Sequence, residues 1–146
     1  MELRQVFQPA DYQSAFEADV AGFNTTWWGQ RLKRATDVRV DTFSVFDGGD
    51  ELARVEVDPN GTIFADYLGL RTPMPGAEVT FFEVRADRRR SGIGRAAVRF
   101  LRAAYADQTM FAFSEGADVF WASVGWRRFP RADGDAAYRP LFVSAG

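Results

Sequence analysis

The chain predicts a mixed α/β domain, a sheet of antiparallel and parallel strands with helices on both faces. Three observations predict it. Val38 to Phe46 alternates apolar and polar residues and stops at Asp47-Gly48-Gly49-Asp50, a hairpin turn. Glu78 to Arg85, with Val79, Phe81, Phe82 and Val84, reads as a buried strand. Ile93, Ala96, Ala97, Phe100, Leu101, Ala104 and Tyr105 then recur at helical spacing and form one continuous apolar face. The 146 residues are read as one domain, residues 1–146.

Leu3, Val6 and Phe7 suggest a short first strand, and Pro9-Ala10-Asp11 a helix start with Tyr12, Ala15, Phe16, Val20 and Phe23 on one face. A loop through Asn24-Thr25-Thr26 leads to Trp27-Trp28-Gly29 and a short helix from Gln30 to Arg34. After the first hairpin, Leu52 to Val57 is the return strand, Asp58-Pro59-Asn60-Gly61 turns again, and Thr62 to Leu70 adds a strand. Thr72 to Gly76 is a loop before the buried strand. Gly92 to Tyr105 is the strongest helix, Met110 to Phe113 a short strand, and Ala117 to Val124 a second helix, N-capped by Ser114 and ended by Gly125. Trp126 to Phe129 and Tyr138 to Val143 close the sheet around Ala132-Asp133-Gly134-Asp135.

Composition removes several chemistries. The chain has no Cys and no His, which excludes thiol nucleophiles, histidine bases, disulfides and the usual zinc ligands. No carboxylate-rich calcium loop is present, so no metal is expected. The net charge of −2 argues against a general nucleic-acid binder, and no nucleic acid is expected as partner. No signal-peptide core and no membrane-spanning run occurs, so a cytoplasmic location and no membrane partner are expected. A homodimer stays open.

The chemistry gathers in Val84-Arg85-Ala86-Asp87-Arg88-Arg89-Arg90-Ser91-Gly92-Ile93-Gly94-Arg95. An apolar strand ends there, arginines follow, and two glycines open an amphipathic helix. The first amides of a helix lack partners within it, and its dipole adds partial positive charge. Glycines let a phosphate approach the bare backbone. Five arginines (Arg85, Arg88, Arg89, Arg90 and Arg95) lie within eleven residues. The order builds a cradle for a phosphate-bearing ligand.

Arg89-x-x-Gly92-x-Gly94 resembles the Q/R-x-x-G-x-G/A signature of the GNAT superfamily of acyl-CoA-dependent N-acyltransferases. Ser114 to Trp126 resembles that family's N-x-x-A-x-x-F-Y-x-x-x-G-F pattern, with Ser114 in place of the Asn and Trp121 in place of the Tyr. The likeness covers Glu78 to Phe129. It implies a mixed, mostly antiparallel sheet of six or seven strands flanked by about four helices and splayed at the central parallel pair. It also implies N-acetyltransferase activity: an amine of a small molecule or protein attacks acetyl-CoA directly in a ternary complex.

The resemblance assigns the pyrophosphate of coenzyme A to Arg89, Arg90, Ser91, Gly92, Ile93, Gly94 and Arg95. It assigns the pantetheine arm to the backbone of Val84, Arg85 and Ala86, with the Val84 or Arg85 amide as oxyanion donor. Candidate bases are Glu78, eleven residues ahead of Arg89, and Glu83. Trp121 cannot serve as the customary acid, because an indole N–H does not ionise usefully. Ser123 could position a water, and Tyr138 or Tyr67 could reach the site. Trp27 and Trp28 would wall an acceptor site suited to an apolar substrate. An acyl-CoA-binding module without turnover is the alternative, and a nucleic-acid contact through the arginines a third reading.

Overall fold

The computed structural model describes residues 1–29, 32–134 and 139–145. The strands are β1 (Glu2–Val6), β2 (Asp41–Asp47), β3 (Asp50–Ile63), β4 (Met74–Val84), β5 (Met110–Phe113), β6 (Arg127–Phe129) and β7 (Leu141–Val143). They form a seven-stranded sheet in the order β1-β2-β3-β4-β5-β7-β6. Neighbours β1–β2, β2–β3, β5–β7 and β6–β7 are antiparallel, and β4–β5 is parallel. The α-helices among the described residues are α1 (Thr25–Gly29), α2 (Ile93–Ala104) and α3 (Asp118–Ser123). This is the mixed, mostly antiparallel sheet expected. The parallel ladder holds only at Ala77↔Met110 and Glu78↔Phe111, and β4 continues past it to Val84.

The chain clusters into two compact units, the first Met1–Val57 with Phe81–Phe100, the second Asp58–Thr80 with the residues from Leu101 onward. In the first unit, α2 lays Ile93 and Ala97 on Val45, Leu52 and Ala53, with Phe82 and Val84 beside them. A second cluster gathers Phe16, Phe23 and Trp28 against Phe81. In the second unit, Ile63, Tyr67, Phe111, Phe129, Leu141 and Val143 form the core.

Three expectations are corrected. The helix expected from Pro9 does not form; residues 7–24 are turns and bends, with Tyr12 at φ 57° and Gly22 at φ 93°. Phe16 and Phe23 are buried all the same and flank the guanidinium of Arg54 at 5.0 and 4.3 Å. Arg54 is itself buried and donates to the Glu17 carbonyl at 2.8 Å, an acceptor that a helix would claim for its own ladder.

Asp58-Pro59-Asn60-Gly61 is no turn, for β3 runs straight through it to Ile63. Gly61 serves close approach instead: a Cβ there would lie 3.1 Å from Glu78 Cβ, Gly76 O and Phe111 Cζ. The segment after Ile63, read as a strand to Leu70, is a loop apart from one bridge, Tyr67↔Arg131.

Smaller differences follow from local bonding. β2 begins at Asp41 rather than Val38, after a 3-10 turn at Ala35–Asp37. Ala117, not Ser114, is the N-cap of α3; the buried Ser114 hydroxyl accepts the Ala117 N–H at 3.0 Å. Parts of the expected Gln30–Arg34 helix, the Ala132–Asp135 turn and the Tyr138–Val143 strand lie outside the described residues.

Candidate functional site

The end of β4 and the start of α2 carry the residues expected to cradle a phosphate. After Val84 the backbone makes a 3-10 turn, Ala86–Arg88, closed by the Arg88 N–H on the Arg85 carbonyl at 2.9 Å. Ser91 Oγ donates to the Arg88 carbonyl and tightens the loop. Arg90 then sits at φ 63° and Gly92 at φ 83°, both left-handed. Alternating handedness turns successive amides into a concavity that favours anions. The Ala96 N–H bonds Gly92 O at 3.1 Å, so the helical ladder starts there and the Ile93, Gly94 and Arg95 amides precede it. Ile93 has its side chain in the core and can offer a ligand only its amide.

The arginines divide by partner. Arg85 pairs with Asp87 at 2.7 Å, which holds the Asp87 carboxyl below its ordinary value of 3.8. Arg89 faces Glu83 at 3.7 Å and Arg88 faces Asp50 at 3.9 Å. The side chains of Arg90 and Arg95 are exposed and have no partner among the described residues. Two exposed cations therefore flank the concavity.

The backbone of Arg85 and Ala86 is not open to a pantetheine arm. Arg85 N–H donates to the Leu52 carbonyl at 2.8 Å and Ala86 N–H to the Gly22 carbonyl at 3.0 Å. Gly22 is confined there, since a Cβ would come within 2.6 Å of Arg85 Cγ. Successive strand amides point to opposite edges, so the Val84 N–H faces away from β3. Of the two oxyanion donors expected, the Arg85 amide is already engaged by Leu52.

Glu83 and Trp28 belong to the scaffold. Glu83 Oε1 accepts the Asn24 N–H at 2.8 Å and the Trp28 indole N–H at 2.9 Å, while Oε2 faces Arg89. With its side chain one-tenth exposed and both oxygens engaged, Glu83 anchors the loop rather than standing ready as a base. Trp28 is buried against Phe16, ring centroids 4.8 Å apart, which removes it as an acceptor wall. Trp27 is half-buried on Phe81 and lines a cavity of about 400 Å³ with Phe7, Leu32 and Arg39.

Glu78 lies in the second unit. It is half-buried and lines a cavity of about 350 Å³ with Tyr67, Phe64, Phe113, Arg131 and Arg139. Arg131 holds Asp133 through two bonds of 2.8 and 2.9 Å, which keeps the Asp133 carboxyl below its ordinary value. Arg139 makes an exposed pair with Glu115 at 3.1 Å. Ser123 is exposed on α3 and donates to the Phe120 carbonyl of its own helix at 2.7 Å. Trp121 is buried and stacks on Trp126 at 4.5 Å, a packing residue. Tyr138 lies outside the described residues.

Sequence reasoning missed two arrangements. The buried Glu51–Arg54 pair, 2.8 Å apart, with Ser44 on the second carboxylate oxygen, carries no spacing that distinguishes it from surface charge. The arginines around Glu78 arrive from segments more than fifty residues away, and no local pattern marks them. No group of His, Cys, Asp or Glu among the described residues could hold a metal. No helix among them is long and apolar enough to cross a membrane.

No family model matches the chain, and no curated protein does. Solved structures do. A point mutant of KacT is 16% identical with a TM-score of 0.68, over 97% of this chain and 94% of that one. AtaTR bound with acetyl-CoA is 13% identical with a TM-score of 0.65, over 97% and 91%. The Bacillus subtilis N-acetyltransferase YlbP in complex with coenzyme A is 15% identical with a TM-score of 0.55, over 72% and 67%. The chain shares the fold of these solved structures. The comparisons also overturn the expectation of no nucleic-acid partner. The KacTA complex (TM-score 0.63) and the AtaT–AtaR complex (TM-score 0.63) are both structures with DNA bound.

Proposed function

We propose that the protein transfers an acetyl group from acetyl-CoA to an amine. The observation that carries this reading is the left-handed pair Arg90 and Gly92 set between β4 and the first turn of α2. Their concavity, the unladdered amides of Ile93, Gly94 and Arg95, and Arg90 and Arg95, unpaired among the described residues, suit a pyrophosphate. Solved structures of the same fold that hold coenzyme A or acetyl-CoA support the choice of ligand.

Acetyl-CoA would supply an acyl group already activated as a thioester: the amine nitrogen bonds the carbonyl carbon as the C–S bond breaks. The chain then has two tasks. Val84 N–H, directed away from β3, is the donor for the developing oxyanion, and the proton of the amine leaves to solvent. Arg89, drawn by the anchored Glu83, stands beside the cradle as a third cation.

A second reading, an acyl-CoA-binding module without turnover, is favoured by one observation. Trp121 packs on Trp126 at the position where the resemblance places an acid. Free-thiol release on mixing acetyl-CoA with a panel of amines separates the two. Amine-dependent release is the expected outcome. Binding without release selects the module, and absence of binding at millimolar acetyl-CoA sinks both.

A further inference from the structure

We infer that the cavity beside Trp27 is a binding site for a small aromatic carboxylate, an apolar ring that carries one anionic group. The site lies wholly within the first unit and stands apart from the transferase reading. Its volume of about 400 Å³ falls within the size range of small-molecule sites. One wall is apolar. Trp27, half-buried on Phe81 with ring centroids 5.6 Å apart, stands there with Phe7, Leu32 and Val40. Phe7 is 73% exposed and Leu32 42%. Two large apolar side chains left in solvent around one cavity mark a surface that a ligand covers.

The other wall supplies the charge. Lys33 and Arg39 both line the cavity, and neither makes an ion pair among the described residues. Local bonds hold both in place. The Lys33 carbonyl accepts the Tyr12 N–H at 2.8 Å and the Gln8 side-chain amide at 3.0 Å. Arg39 donates through one nitrogen, Nη1, to the carbonyls of Thr36 at 2.9 Å and Val38 at 3.2 Å. Its Nε and Nη2 groups have no acceptor among the described residues. Asp41 and Glu56 face the same space, but both are engaged within the chain. The carboxylates are thus committed and the two cations are not, so an anion is the charge the cavity lacks. A ligand carboxylate at Lys33 and Arg39 gains charge-assisted hydrogen bonds without breaking an existing ion pair. Its ring then lies against Trp27 and Phe7, where aromatic contact adds to the apolar area buried.

Calorimetry with phenylacetate and phenylacetamide tests the site directly, since the two differ only in the anionic group. The carboxylate should bind at least about tenfold more tightly, the scale of one charge-assisted hydrogen bond. The double change Lys33→Gln, Arg39→Gln should bring that ratio to near one. Both side chains are exposed, so the fold tolerates the change. Phe7→Ala, also at an exposed position, should weaken carboxylate and amide by the same factor and leave their ratio as it was. Equal binding of the pair, or no binding of either at millimolar ligand, overturns the site. So does a preference that survives the double change, or an affinity that Phe7→Ala leaves untouched.

Discussion

The carboxylate of Glu83 accepts the indole N–H of Trp28 at 2.9 Å and, on the same oxygen, the backbone N–H of Asn24 at 2.8 Å. One strand residue thereby anchors the irregular segment that precedes and includes α1. Glu83→Ala leaves both donors without an acceptor and should cost about 2–4 kcal/mol. Glu83→Gln keeps an acceptor oxygen and should cost about 1 kcal/mol. Urea unfolding reads both; equal costs for the two variants would refute the anchor.

Arg54 is the second anchor. Buried with Glu51 and seated between Phe16 and Phe23, it holds residues 16–23 without a helix. Arg54→Met strands the Glu51 carboxylate and should destabilise by about 3–5 kcal/mol. A loss under about 1 kcal/mol would show the pair to be dispensable.

Strand approach sets a third prediction. At Gly76 a Cβ would meet the Thr109 carbonyl at 2.7 Å, whereas at Gly49 it meets nothing within 4 Å. Gly76→Ala should cost about 1–3 kcal/mol, from backbone displacement, and Gly49→Ala within about 0.5 kcal/mol. Thermal unfolding of the two variants decides it.

Acid should weaken the fold through Asp87 and Asp133, whose carboxyls lie below 3.8 because Arg85 and Arg131 hydrogen-bond them. A depressed folded-state value gives stability that is complete above the unfolded value and lost as pH falls through the folded one. The loss therefore begins below about pH 4, and it is small because both groups are exposed. The double change Asp87→Asn, Asp133→Asn should flatten that part of the pH profile.

Much of the sheet and the turn from β4 into α2 was legible in the sequence because both rest on local order. The run from Val84 to Arg95 places strand, turn and helix in immediate succession, and the apolar face of α2 repeats without interruption. The segment between β1 and α1 was not legible. Ala15, Phe16, Val20 and Phe23 have helical spacing, yet they pack around Arg54, a partner on β3 that no window could reveal. Asp58 to Gly61 has turn chemistry, but Gly61 answers to a neighbouring strand. For the same reason no window could show that Glu83 is engaged by Asn24, Trp28 and Arg89.

The central claim is that the turn from Arg90 into α2 holds acetyl-CoA, and calorimetry on Gly92→Val tests it most directly. A side chain at φ 83° is strained, yet its Cβ would meet nothing beyond its chain neighbours within 4 Å, so the turn distorts without a clash at that carbon. The wild type should bind acetyl-CoA, and the variant should bind at least about tenfold more weakly with an unchanged circular dichroism spectrum. Equal affinity in a folded variant would contradict the account.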